Sequence, residues 1–425
     1  MVASGSYGQV SFTPDGQSAV KTSSLFEGGS NSNMLCGCNL NEAIIAATLA
    51  ERGNNMGGII NVKDVCVSED TVLSIVMDKG SMTLAKFITS HRMMQRMAKI
   101  YDVLMDLIRG LHSLHEMGIV HCDFKPENAV VMEDGRTKLI DFGSSRYYRR
   151  ARCVEDMDVW CTYPFCAPEA LEEDEHKSLP TPAIDAYSLG ATLYYYIYKS
   201  YLYNWTKKTT KSDVRRMHKQ GHVKESIPTI CPDGVPQDVF EIMVGLLNGD
   251  PKERTSIKSL YMRYCQPTPL PGTFSHIIND PPSPSSSPRA ARDKAIDYLY
   301  KRCGEKKECF ALAVNIMDRY EACKGCACSM GELTTCLILS EITLYPDVDA
   351  FITRKKREQM LNIIKTLKFK LYADTPDWLI MDVYKHPVVD YEVLKIVLKE
   401  SYGITHIAIN MYLEQRDYMV IDDDE

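Results

Sequence analysis

The rhythm of apolar and polar positions changes several times along this chain. Residues 3–10 read as a glycine-bearing loop between two strands, and Thr13-Pro14-Asp15-Gly16 is a turn returning the chain into a strand over residues 17–21. Residues 41–47 hold helix formers with no glycine or proline, and two strand-like runs follow at 59–67 and 71–77. The pattern then becomes helical: residues 93–117 predict one long helical stretch, and an apolar helix begins near Asp185. Seven prolines set among serines mark residues 265–291 as a linker with no means of building a core.

Helical spacing resumes after the linker. Ile296, Leu299, Tyr300 and Cys303 follow the i, i+3, i+4, i+7 pattern. Phe310, Ala313, Val314 and Met317 repeat it, as do Met360, Ile363, Ile364 and Leu367. The expectation is a β-rich start, a helical middle and an all-α C-terminal module.

Composition narrows the chemistry more than the fold. The 425 residues, 45% hydrophobic and 25% charged, suffice for two or three domains. A net charge of −7 argues against nucleic acid as the main partner. The longest apolar runs, 43–49 and 189–197, fall short of the roughly 18 residues of a membrane span. The N-terminus also lacks the charged-then-apolar pattern of a secretory signal. Fifteen cysteines without such a signal predict reduced thiols in a cytoplasmic or nuclear protein, not a disulfide framework. Cys323, Cys326 and Cys328 have zinc-like spacing, but no second Cys/His pair lies at a convincing distance, so free thiols are expected.

The strongest chemistry lies in His121-Cys122-Asp123-Phe124-Lys125-Pro126-Glu127-Asn128, followed by Asp141-Phe142-Gly143. An acid, a lysine and an amide stand at offsets of two and five, and a second acid follows eighteen residues after the first. Phosphoryl transfer from Mg-ATP to a hydroxyl needs this set. One carboxylate orients the hydroxyl and accepts its proton, a cation faces the transferring phosphate, and an amide and another carboxylate hold the metal.

On these residues the chain resembles the eukaryotic-type protein kinases. The resemblance implies an α+β, two-lobed protein kinase fold over residues 1–264, with a small β-rich N-lobe (1–78) and a helical C-lobe (79–264). It implies Asp123 as catalytic base, Lys125 as phosphate contact, Asn128 and Asp141 as magnesium ligands, and ATP and Mg2+ as cofactors. Gly5, Gly8 and Val10 fit a loop whose glycine backbone approaches phosphate closely, although such a turn alone is more often just a hairpin, and Ala3 replaces its first glycine. Lys21 is similar to the strand lysine that pairs with the α- and β-phosphates. Glu42 is similar to the helix glutamate that positions that lysine, and Met77-Asp78-Lys79 to the hinge that meets adenine. Thr162 resembles the threonine that contacts the catalytic acid and lysine in Ser/Thr kinases. Glu169 and Arg254 resemble a buried ion pair, and Asp185 a brace beneath the catalytic loop.

Departures from the pattern concern the activation segment. Cys122 stands where most such kinases carry the arginine that grips a phosphate there. Asn41 lacks the positive charge of cyclin-dependent kinases, the nearest relatives in flavour through Ser6-Tyr7, which leaves Arg146 of that cluster. Glu155, Asp156 and Asp158 then suggest a segment held without phosphorylation, by fixed acids or a neighbouring domain. Arg149, Arg150 and Arg152 either meet acidic substrate or face water. Cys166 replaces an arginine beside the substrate pocket.

Residues 265–291 are the Pro/Ser-rich linker, and residues 292–425 form a helical module resembling a cyclin box. Phe310-Ala311-Leu312-Ala313-Val314-Asn315-Ile316-Met317-Asp318-Arg319-Tyr320 resembles its second helix, Cys336-Leu337-Ile338-Leu339-Ser340-Glu341 its third, and residues 361–371 its fourth. Glu341 stands where cyclins usually carry a kinase-contacting lysine. Arg354-Lys355-Lys356-Arg357 reads as a solvated helix face, with a nuclear address as the alternative. Tethering would raise the module to roughly millimolar effective concentration for an intramolecular kinase contact. The implied function is a Ser/Thr protein kinase acting on protein substrates, regulated by its own cyclin-like domain, with no nucleic-acid or membrane partner. The alternative is a catalytically weak kinase-fold scaffold that recruits partners through the helical domain.

Overall fold

A computed structural model of the chain describes residues 3–5, 8–27, 34–52, 56–148, 161–171, 180–206, 208–265, 289–344, 350–372, 391–400 and 408. The first strands are β1 (Ala3–Gly5), β2 (Gly8–Phe12), β3 (Ser18–Ser24) and β4 (Met34–Leu35), followed by helix α1 (Gly37–Arg52). Next come β5 (Val62–Val67), β6 (Val72–Asp78) and β7 (Met82–Thr83). A sheet forms in the order β1-β2-β3-β6-β5. The turn after β2 closes through Gly16 N–H to Thr13 O at 2.8 Å, with Gly16 at φ 70°.

Beyond β7 the chain is mainly helical, beginning with α2 (Leu84–Ser90), α3 (Met93–Met97) and α4 (Ile100–Glu116). Four short strands come next, β8 (Ile119–Val120), β9 (Ala129–Val131), β10 (Thr137–Leu139) and β11 (Arg146–Tyr147). Then α5 (Pro182–Tyr198), α6 (Lys211–Lys219), α7 (His222–Glu225), α8 (Gln237–Leu246) and α9 (Ile257–Leu260) complete this part. The C-terminal module contains α10 (Arg289–Arg302), α11 (Glu308–Lys324), α12 (Met330–Leu344), β12 (Ala350–Phe351), α13 (Arg354–Thr366) and α14 (Tyr391–Glu400).

The chain divides into two compact units. One contains Met1–Lys21, Leu49–Asp64 and Val76–Ser275, the other Thr22–Thr48, Val65–Ile75 and His276–Glu425. In the first, α4 buries Val103, Leu104, Leu107, Leu111 and Leu114 on the face its spacing predicts. Gly58 and Gly110 allow a close backbone approach there. A Cβ on Gly58 would lie 2.4 Å from the Gly110 nitrogen, and one on Gly110 2.4 Å from the Gly58 oxygen. The expected single helix over 93–117 is two helices, broken at Ala98-Lys99. The Arg96 guanidinium bonds the carbonyls of His91, Tyr196 and Ile197 at 2.9–3.0 Å, tying α3 to the end of α5.

In the second unit, Phe310, Ala313, Val314 and Met317 of α11 and Met360, Ile363 and Ile364 of α13 are all buried. A buried bidentate pair joins α10 to α11. Arg292 reaches both carboxylate oxygens of Asp318, at 2.8 and 2.7 Å, and donates to the Leu398 carbonyl at 2.8 Å. The module also engages N-terminal residues of the same unit. Strand β12 pairs antiparallel with β4 (Ala350 with Leu35, Phe351 with Met34). Arg357 of α13 lies 4.3 Å from the Phe26 ring centre and donates to Thr71 Oγ1 at 3.1 Å. The expected solvated face at 354–357 is therefore corrected at Arg357, which the Phe26 ring draws inward; Arg354 and Lys355 remain exposed. Glu341 pairs with Lys306 of the module. No described helix is long and apolar enough to cross a membrane. Residues 266–288 of the linker and the acids at 155, 156 and 158, like Arg149, Arg150, Arg152, Ser6 and Tyr7, lie outside the described residues, and the last linker positions, from Arg289, already belong to α10.

Candidate functional site

Residues 121–128 connect β8 to β9, and Asp185 in the first turn of α5 anchors the loop's start. Its buried carboxylate accepts the backbone N–H of His121 at 2.8 Å and of Cys122 at 3.0 Å, and His115 Nε2 lies 2.8 Å away. Cys122 needs that hold, because its φ of 67° is in the left-handed region that a Cβ disfavours. Its thiol is buried and reaches the Val120 carbonyl at 3.6 Å, so position 122 offers no cation to the activation segment. Arg146 does not replace it at the surface. It is buried in β11, opposite Val120, with its guanidinium on the Ser145 carbonyl at 3.0 Å.

Asp123 is the centre of a closed network. Its Oδ1 accepts the Thr162 backbone N–H at 2.8 Å and the Thr162 hydroxyl at 2.7 Å. Its Oδ2 lies 2.6 Å from Lys125 Nζ, which also donates to Thr162 Oγ1 at 2.6 Å. Asn128 directs its amide nitrogen to the Asp123 carbonyl at 2.8 Å and to Oδ2 at 3.4 Å. Among the described residues, each of these contacts to the Asp123 carboxylate is a donor, which keeps it an acceptor for an incoming hydroxyl.

Lys21 and Asp141 form the second pair, with Nζ to Oδ1 at 2.8 Å. Burial works to raise the Asp141 pKa, but the Lys21 ammonium, helped by His121 and Lys125, prevails and leaves the carboxyl below its usual range. Asp141 also has positive φ, 66°, followed by the buried Phe142, whose ring lies 5.8 Å from that of His121. Gly5 and Gly8 face one another across the β1–β2 hairpin, and Ala3 opposes Val10. Met77 is half-buried near the end of β6, where Asp78 donates its N–H to the Asn61 carbonyl at 3.0 Å and pairs with Lys63 at 3.0 Å. Glu42 belongs to the other compact unit, buried within α1 at 3% exposure.

Behind the network, Arg254 grips Glu169 through two bonds, 2.6 and 2.9 Å, and also bonds the carbonyls of Ala183 and Asn248. Two features escaped sequence reasoning. His115 gives no local signal, since its partner Asp185 is 70 residues away. Reduced thiols, not a disulfide framework, are expected, and Cys161 and Cys166 depart from this by forming a disulfide with Cα atoms 5.6 Å apart. The short turn at Tyr163–Phe165, with Pro164 inside it, brings the two ends together. Cys323, Cys326 and Cys328 are free thiols. Among the described residues no cluster of His, Cys, Asp or Glu is arranged to hold a metal ion by itself.

Comparison with known proteins agrees with this geometry. The protein kinase domain family matches residues 4–264. The PAS domain-containing serine/threonine-protein kinase of Mus musculus is 29% identical over 205 residues, 48% of this chain and 13% of that protein. The dual specificity protein kinase TTK of Mus musculus is 28% identical over 225 residues, 51% of this chain and 25% of that protein. Sperm motility kinase 1 of Mus musculus is 38% identical over 92 residues, 21% of this chain and 18% of that protein. The chain thus spans a quarter or less of the length of these relatives. With more than half of its length matched, the chain belongs to the protein kinase domain family.

Proposed function

We propose that the protein is a Ser/Thr protein kinase that transfers the γ-phosphate of Mg-ATP to protein hydroxyls. The observation that carries this reading is the Asp123–Lys125–Thr162–Asn128 network, in which acid, cation and amide meet within hydrogen-bond distance. Asp123 orients the substrate hydroxyl and accepts its proton, while Lys125 faces the transferring group. Lys21, held on Asp141 in the structure, would pair with the α- and β-phosphates. Gly5, Gly8 and Val10 cover the phosphates, and Met77 meets adenine. Asp141 and Asn128 hold the magnesium. The donor set fits a hard cation: Asp141 stays ionised, and Asn128 turns its nitrogen toward Asp123, leaving the amide oxygen as the remaining donor. When bound, Mg-ATP supplies the phosphoryl group and the neutralisation of its charge. These residues supply alignment, which accounts for most of the rate gain.

The C-terminal module, in the cyclin-like reading, regulates the kinase from within the same chain. Support comes from the β4–β12 pairing and the Arg357 contacts to Phe26 and Thr71, which join the module to the segment that leads into α1 and Glu42. A transfer assay with labelled Mg-ATP and a generic basic protein tests the enzyme. Asp123→Asn abolishes transfer while ATP binding survives. Full activity in that variant sinks the assignment, and a wild type that binds ATP without transfer favours a recruiting scaffold.

A further inference from the structure

Six residues, 161–166, close a covalent ring beside the proposed catalytic base. We propose that Cys161 and Cys166 are a reversible oxidation site that governs acceptance of the protein substrate. The inference rests on the kinase reading of Asp123.

The ring encloses the residue that touches the base. Thr162 gives both its backbone N–H and its hydroxyl to Asp123, and its Oγ1 receives Lys125. A hydroxyl brought to Asp123 therefore arrives beside this loop. The two ends of the ring are held differently. The far end is fastened into the helical part without the disulfide: Ser188 donates to the Phe165 carbonyl at 2.9 Å, Tyr203 to the Tyr163 carbonyl, and the Phe165 ring packs edge-on against Tyr195 and Tyr201. At the near end, the bridge ties Cys161 to the anchored Cys166 and so presses Thr162 onto Asp123.

Access to the two sulfurs also differs. Cys166 is 1% exposed, whereas Cys161 is half-buried and open to attack. Oxidation by a peroxide begins at the Cys161 thiolate, which attacks one peroxide oxygen to give a sulfenic acid and one water. The Cys166 thiol then displaces the sulfenic oxygen as a second water, and the sulfur–sulfur bond forms. Two thiols lose two electrons and two protons, and one hydrogen peroxide becomes two waters. A small dithiol reverses the change by exchange, entering at Cys161 and leaving as its own disulfide.

Oxidised protein holds the loop in its substrate-ready form, and reduced protein loses the tether at Cys161. The full chain is compared after treatment with hydrogen peroxide or dithiothreitol, with alkylation and peptide mass spectrometry to map the bond. Kinetics are measured against a basic protein substrate and, separately, against ATP. Reduction is expected to lower kcat/KM for the protein substrate about tenfold, the scale of a small misplacement at a reacting centre, with KM for ATP unchanged. Cys161→Ser and Cys166→Ser both stay at the reduced value and respond to neither reagent. The inference is overturned if no Cys161–Cys166 peptide forms, if the two redox states have equal kinetics, or if the serine variants still respond. Absence of transfer in both states overturns the kinase reading and this inference together; transfer indifferent to redox state overturns the inference alone.

Discussion

Thr162 places two donors on a single oxygen of Asp123, its N–H at 2.8 Å and its hydroxyl at 2.7 Å, across 39 residues of sequence. The same hydroxyl oxygen accepts Lys125 Nζ, so one side chain sets the spacing of acid and lysine. In Thr162→Val the N–H bond survives and the hydroxyl bonds are lost. A hydrogen bond to a charged group contributes about 1.5–3 kcal/mol, so kcat/KM for protein substrate should fall roughly tenfold to a hundredfold. Thr162→Ser keeps the hydroxyl and should recover most of the loss. Steady-state kinetics on the three proteins check this, and a Val variant equal to wild type would remove Thr162 from the site.

Glu169 and Arg254 matter for stability. The Arg254 side chain has no solvent exposure, and Glu169 satisfies two of its donors. Glu169→Ala leaves a buried cation without its partner, a change that costs about 3–5 kcal/mol. The carbonyls of Ala183 and Asn248 keep some of that charge solvated, so the low end of the range is expected. Glu169→Gln keeps one acceptor and should lose less. Urea unfolding measures both, and a loss below about 1 kcal/mol for the Ala variant would show that the pair is not the clamp its geometry suggests.

The local elements and the catalytic loop were legible in the sequence because their signals are short-range. Apolar spacing marks α4, α11 and α13, and the offsets from Asp123 to Lys125 and Asn128 fit on one loop. What escaped depends on distant chain segments. Arg96 sits in a helically patterned stretch, yet its guanidinium is buried on carbonyls about a hundred residues away. Arg292 and Asp318 stand 26 residues apart, and only the packing of α10 and α11 buries them as a pair. Arg357 belongs to a basic run that begins with the exposed Arg354 and Lys355, and its placement on Phe26 has no mark in the sequence. Positive φ at Cys122 and Asp141 likewise has no sequence mark, since neither is glycine.

Acid sensitivity should trace in part to His218. Burial, with the Arg254 charge nearby, lowers its pKa to about 4, and the rings of Tyr187 and Tyr203 flank it at 6.0 and 6.2 Å. The unfolded chain takes up this proton near the ordinary pKa of 6.5 and the folded chain only near 4. Between those values the unfolded state binds more protons. Stability is therefore complete above the unfolded pKa and declines as pH falls through the window, by about 1.4 kcal/mol per pH unit and at most roughly 3–4 kcal/mol in all. His218→Phe keeps a ring in place and removes the proton site, so its stability should fall less between about pH 7 and pH 4.5. Identical pH profiles for variant and wild type would exclude His218 as the source.

The last prediction concerns the module's hold on the N-terminal segment of its own unit. Arg357 stacks on Phe26, whose neighbour Leu25 donates its N–H to the Thr71 carbonyl at 3.0 Å, while Thr71 accepts Arg357 at its hydroxyl. Phe26 also bridges Leu35 in β4, the strand that β12 extends. One guanidinium thus touches both Phe26, ahead of β4, and Thr71, in the turn between β5 and β6. A partly buried cation–π contact contributes about 1–2 kcal/mol, enough to change local opening without unfolding the chain. Arg357→Ala should speed amide hydrogen exchange in residues 34–36 and 350–351 by roughly fivefold to thirtyfold, as that energy implies. Arg357→Lys keeps the charge but not the planar stack, and should fall between the two. If the module regulates the kinase through this contact, kcat falls in the same order across the three proteins. Faster exchange with unchanged kcat would make the contact purely structural, and unchanged exchange would show that β12 holds β4 without Arg357.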